Sequence, residues 1–186
     1  MRARETLDAL LRRDFQTCLD IGSGDGSYAN ALRAAGKSVM TVNLCAPADH
    51  VGDYMGQRFF PVDAIWCSHV LEHQSNVGLF LQKCFRELKP HGWLAITVPP
   101  MKPEIVGGHL TLWNAGLLLY NLILAGFDCS QASVKAYGYN VSVIVQKRPA
   151  FIPELKMDFG DIEALAHCFP IPVCNGFDGN IREVNW

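Results

Sequence analysis

The chain has 186 residues, 49% hydrophobic and 18% charged, which is enough apolar material for a sizeable core and the balance of a globular rather than a disordered protein. A net charge of −2, with no run of lysine or arginine, excludes the basic footprint of a nucleic-acid binder. Seven cysteines without a C-x-x-C pair argue against a disulfide framework and against a zinc site, and for reduced thiols in a cytoplasm.

The N-terminus, MRARETLDALLRRDF, lacks the apolar stretch of a signal peptide and reads as a short amphipathic helix with Leu7, Leu10 and Leu11 on one face. Thr17 to Tyr28, TCLDIGSGDGSY, is a short apolar strand that runs straight into a turn with glycine at 22, 24 and 26. Glycines at that spacing let the backbone turn sharply and approach a ligand with no Cβ in the way. In open α/β sheets such a strand, turn and helix form the mouth of a nucleotide-type pocket. The spacing narrows the ligand. A dinucleotide fingerprint places Gly where this chain has Ser27, and a phosphate-cradling P-loop requires a lysine that does not follow Gly26.

A helix over 27–35 stops at Gly36, and 38–44 is β-rich and short. Residues 62–68, VDAIWCS, form a nearly continuous apolar run, the pattern of a strand buried on both faces. A helix is predicted over about 76–88, with Leu79, Phe80, Cys84 and Leu88 at helical spacing. Trp93 to Val98 is a further buried strand, halted by Pro99 and Pro100. The stretch from Ile105 to Phe127 carries no charge and is long enough to span a bilayer. Gly107, Gly108 and His109 open it, and Asn114 and Asn121 share a helical face, so a helix packed on a sheet over about 112–125 is expected instead. Strands at 132–137 and 140–146 close the pattern, joined by a tight turn at Gly138 that requires them to be antiparallel. Trp66, Trp93 and Trp113 are assigned to the core. Alternating strands and helices call for a mostly parallel, doubly wound sheet with right-handed crossovers and an antiparallel last strand. One domain is expected over 1–186, built from a helix at 1–14, a core at 15–148 and an extension at 149–186 that covers a sheet face or the pocket.

With these pieces in order, the chain resembles the class I S-adenosylmethionine-dependent methyltransferases across roughly 15–148, and most of all the small members whose fourth motif ends in HVLEH. LDIGSGDGSY at 19–28, DAIWCSHVLEH at 63–73 and ELKPHGWLAITVPP at 87–100 carry the resemblance, with GGHLTLWN at 107–114 after the fifth strand. It implies a Rossmann-like methyltransferase fold with a seven-stranded-type sheet, and S-adenosylmethionine as cofactor. Gly22, Gly24 and Gly26 would pass under its methionine part, Asp20 would orient its ammonium group, and Asp53 would meet the adenine amino group. Ser68 and His69 would offer backbone groups near the sulfonium, and Tyr28 would either stack beside it or fill the core. The family's acid for the ribose hydroxyls falls at Asn43, which keeps an acceptor but loses charge assistance. The short connection from Asn43 to Val62 implies an abbreviated middle region.

A hydroxyl acceptor wants a base, and a neutral histidine suits that task near pH 7. His109, in a loop at the carboxyl edge of the sheet, is the first candidate; His73, with Glu72, is the second. The alternative for each is a structural role, capping the next helix for His109 and fixing the turn after the fourth strand for His73. His69, His73 and His109 match no standard metal-ligand spacing, and no metal is expected. The resulting expectation is a cytoplasmic methyltransferase acting at oxygen on a small or carbohydrate-like acceptor, with no nucleic-acid partner and no membrane span. The alternative is a degenerate, non-catalytic cofactor-binding domain with a regulatory or assembly role, which Asn43 and the clipped middle favour. A nicotinamide oxidoreductase fails on Ser27 and on the terminal hairpin.

Overall fold

The computed structural model describes residues 1–186. Helix α1 (Arg4–Leu11) leads into β1 (Thr17–Ile21), α2 (Ser27–Ala34) and β2 (Ser38–Asn43). The abbreviated connection holds only the two-residue β3 (His50–Val51) and a 3-10 turn at Tyr54–Gly56 before β4 (Val62–Ser68). After α3 (Val77–Glu87), β5 (Leu88–Val98), α4 (Ala115–Leu124), β6 (Ser133–Tyr137) and β7 (Asn140–Gln146), the extension adds α5 (Asp161–Ala164) and β8 (Glu183–Val184).

All eight strands form one sheet in the order β3-β2-β1-β4-β5-β7-β6-β8. Strands β1 to β5 are mutually parallel, and β7 inserts antiparallel between β5 and β6. The fold is therefore the mostly parallel, doubly wound α/β sheet expected. The hairpin strand that closes the core is not at the edge, because β8 pairs antiparallel with β6 beyond it. The chain winds from β1 outward through β2 and β3, then returns to the other side of β1 to lay down β4 and β5. Strand order reverses between β1 and β4, and crevices for ligands open at the carboxyl ends of strands at such a point.

Alternation along the strands divides the core in two. Leu19, Ile21, Ile65, Cys67, Leu94 and Ile96 face α3 and α4, whereas Cys18, Ala64, Trp66 and Ala95 face α1 and α2. Leu7 and Leu10 of α1 join the second layer, while Leu11 lies at its margin. Trp66 and Trp113 are buried, and Trp93 is half-buried beneath the Arg13 guanidinium. The uncharged stretch gives a helix of ten residues, and no helix is long and apolar enough to cross a membrane. Asn114 does not sit on that helix face as expected: it is the N-cap, accepting from the Leu117 N–H at 2.8 Å. The extension packs Leu165, Cys168, Phe169 and Ile181 into the layer of α4. It covers a sheet face, and none of its residues reaches the cavity described next.

Candidate active site

A cavity of about 390 Å³ opens at the carboxyl ends of β1, β2 and β4. Ile21 and Gly22 come from the end of β1, Val42 and Asn43 from β2, and Gly52 and Asp53 from the abbreviated connection. His69, Val70, His73 and Gln74 follow β4, and Phe80 of α3 closes the floor. The glycine turn shapes this wall. Gly22, Gly24 and Gly26 have φ of +72°, +55° and +75°, a left-handed run that side chains with a Cβ rarely adopt. Gly24 has no atom within 4 Å of where a Cβ would stand, so the turn borders open space.

Asp53 caps the 3-10 turn by accepting from the Met55 N–H at 2.9 Å, which fixes one carboxylate oxygen and leaves Oδ2 without such a bond in a residue of the cavity wall. A buried polar lattice behind it holds the segment in place. The Tyr54 hydroxyl donates to Glu87 Oε2 at 2.8 Å, and Lys83 bridges the Gln57 carbonyl to Glu87. Asn43 donates its amide to the Cys45 carbonyl at 2.9 Å, which leaves Oδ1 as an acceptor.

Two histidines in the wall follow β4, and a third stands beside them. His69 has φ +56° and donates from Nε2 to Asn140 Oδ1 at 2.9 Å, with Nδ1 3.3 Å from Glu72. Burial alone would lower its pKa, but the Glu72 and Asn140 hydrogen bonds outweigh it and raise the value. His73 donates from Nδ1 to the Gly108 carbonyl at 2.7 Å, and its ring lies 5.2 Å edge-on from His109. The Glu72 carbonyl accepts from the Leu110 N–H at 2.7 Å and so pins the 107–111 loop against the turn after β4.

Of the residues named from sequence, Gly22, Asn43, Asp53, His69 and His73 stand in the cavity wall, and His109 stands beside His73. Asp20, Gly24, Gly26, Tyr28 and Ser68 do not line it. Asp20 is buried beneath the turn toward α2; burial pushes its carboxyl up to about 7, against the pull of Arg33 and the Ala29 backbone. Tyr28 packs on Trp66 at 4.9 Å and accepts from the Ala3 N–H at 2.7 Å, so it fills the core and ties down the N-terminus. Val70, Gln74 and Phe80 were not anticipated. Phe80 shows the same helical spacing whether it faces core or cavity, and no sequence signal announces that Asn140 reaches His69 across 71 positions.

The residues fit a nucleoside-type cofactor. Asp20 Oδ2, Ser68 Oγ and Glu72 Oε2 are buried around the glycine turn and the end of β4 without a partner. Orphaned polar atoms of this kind mark functional sites, because leaving them unpaired is costly. The sequence matches the family described as "Methyltransferase domain" over residues 2–121. No curated protein matches it. Among solved structures, the chain is similar to a Burkholderia thailandensis 1,6-didemethyltoxoflavin-N1-methyltransferase with S-adenosylhomocysteine bound, at 18% identity and a TM-score of 0.65 over 80% of this chain and 78% of that one. An S-adenosylmethionine-dependent methyltransferase from Aquifex aeolicus gives 17% and 0.61 over 77% and 90%. The mitomycin 7-O-methyltransferase MmcR gives 16% and 0.60 over 76% and 53%. At these identities the likeness is one of fold.

Proposed function

Because this chain belongs to the methyltransferase domain family, the class I S-adenosylmethionine-dependent enzymes, we propose that it methylates a hydroxyl oxygen of a small-molecule acceptor. The observation that carries this reading is the cavity at the β1/β4 reversal, whose wall holds Gly22 of the glycine turn, Asn43 and Asp53 together with His69 and His73, with His109 beside His73. The two neighbours named for 1,6-didemethyltoxoflavin and for mitomycin act on small molecules, one at nitrogen and one at oxygen, which supports the size of the acceptor. The histidines support oxygen, since a hydroxyl must lose its proton on transfer.

S-adenosylmethionine, when bound, supplies a methyl group already activated on a sulfonium. The chain's residues bind and orient it. Gly22 lets the backbone come close, Asp53 offers Oδ2 to an amino group, and Asn43 offers Oδ1 to a ribose hydroxyl. Holding reactants aligned can supply roughly 7–11 kcal/mol of barrier reduction in well-oriented systems. His109 accepts the acceptor's hydroxyl proton, and the His73 ring beside it is held by the Gly108 carbonyl.

Formation of S-adenosylhomocysteine across a panel of phenols, catechols, sugars and amines tests this. Turnover of hydroxylated acceptors is expected, with His109→Ala slowing it at least tenfold and leaving cofactor affinity unchanged. Turnover of amines alone, or unchanged turnover in the variant, would contradict the oxygen chemistry or the base. Cofactor binding with no turnover would favour the non-catalytic reading.

A further inference from the structure

Glu72, His73 and His109 sit together although their spacing in sequence follows no ligand pattern. One ligand atom from each lies within 4.8 Å of the other two. We propose that these three side chains bind one divalent transition-metal ion of the zinc class beside the cavity.

The protonation pattern points to a cation. His73 Nδ1 faces a carbonyl and donates, so the neutral ring carries its lone pair on Nε2. That lone pair and the Glu72 carboxylate, whose Oε1 lies 3.8 Å away, are two acceptors side by side, an arrangement that a cation between them relieves through the free Oε2. Glu72 is 1% exposed, and its Oε2 has no partner at all. Histidines that bind metals usually donate their other N–H to a carbonyl or carboxylate, as His73 does to Gly108. His69 Nδ1 holds the same oxygen, Oε1, at 3.3 Å, which fixes the carboxylate and leaves Oε2 as the free ligand atom.

The dimensions are compatible. Ligands at about 2.1 Å around a tetrahedral ion stand about 3.4 Å apart. The cluster therefore has to contract by little over an ångström, which the half-buried His109 side chain on its loop can provide. Two histidines and a glutamate leave one position open, as in catalytic rather than structural zinc sites. His73 lines the cavity, so that position faces the acceptor, and with the ion in place His109 is a ligand rather than the base: an oxygen bound at the open position would lose its proton to solvent more readily. This role, though not the binding itself, rests on the methyl-transfer reading.

Cobalt(II) titration of the full chain, followed by visible absorption, tests the site. Saturation at one equivalent is expected, with d–d bands and without the thiolate charge-transfer band that exposed Cys45 or Cys174 would give. His109→Ala, on an accessible loop, should weaken binding at least tenfold, and Glu72→Gln likewise, with thermal melts confirming that both fold. His91→Ala should bind as the parent does. No saturable binding, a thiolate band, or affinity unchanged in both variants would overturn the proposal. Calorimetry with S-adenosylhomocysteine on the same samples separates the two readings. Nucleoside binding without cobalt binding removes the metal site alone, and the reverse removes only its assigned role.

Discussion

At Gly22 a Cβ would stand 2.3 Å from Val70 Cγ2, on a backbone with φ +72°. Val70 is β-branched and stiff at χ1, so it cannot turn aside freely. At Gly24 the backbone is also left-handed, but nothing lies within 4 Å. Gly24→Ala therefore bears only a conformational cost of about 1–3 kcal/mol, whereas Gly22→Ala adds a clash at the cavity wall. Isothermal titration with S-adenosylhomocysteine should show at least a tenfold greater loss of affinity for Gly22→Ala than for Gly24→Ala. Asp20 gives a second prediction at this scale. Its carboxyl is pushed up to about 7 by burial, so the native state holds a proton that the unfolded chain has released. The associated stability is fully present below the unfolded value of about 3.9 and is lost as pH rises through about 7. Asp20→Asn removes that penalty. The melting temperature of the variant relative to the parent should be higher at pH 8 than at pH 5, and an equal difference at both would contradict the assignment.

At the scale of elements, α1 is part of the sheet packing rather than a lid. Thr6 is fully buried, donates to Ser142 Oγ at 2.7 Å and meets the Tyr137 hydroxyl at 2.6 Å, and Thr97 completes the chain through Ser142 at 2.8 Å. Thr6→Val keeps the shape but leaves buried hydroxyls on β5 and β7 short of a partner, at a cost of about 1–3 kcal/mol. Chemical denaturation should report a loss in that range with little change in m-value. The elements themselves were well marked in the sequence. The predicted strands at 62–68 and 140–146 match β4 and β7 to the residue, because a run of buried β-formers bounded by turns leaves little choice. Asn114 was misplaced onto a helix face because capping and surface positions share the same residue type; only the Leu117 N–H at 2.8 Å distinguishes them. The glycine turn was legible through local pattern, whereas Asp53 and Asn43 were reached only through the family resemblance. The His69–Asn140 and His73–Gly108 bonds were not, since they join segments 71 and 35 positions apart.

Over the whole molecule, the reversal of strand order between β1 and β4 brings the glycine turn, the β2 edge and the turn after β4 to one crevice. The extension after β7 was not foldable from sequence, because its apolar residues are spaced by no regular period and find their partners through tertiary packing, within the extension and on the core. It ends as β8 on β6, and Gly116 donates to the Gly179 carbonyl at 2.8 Å where a Cβ on Gly116 would stand 2.4 Å from Gly179 Cα. The tail thus seals the face opposite α1 and leaves the cavity mouth free. The cavity's chemistry is the central claim, and calorimetric titration of the purified chain with S-adenosylmethionine and S-adenosylhomocysteine, with NAD as control, tests it most directly. Micromolar binding of both sulfur nucleosides at one site, weakened at least tenfold by Asp53→Ala and absent for NAD, is the expected result. No binding of either, or binding of NAD in their place, would contradict it.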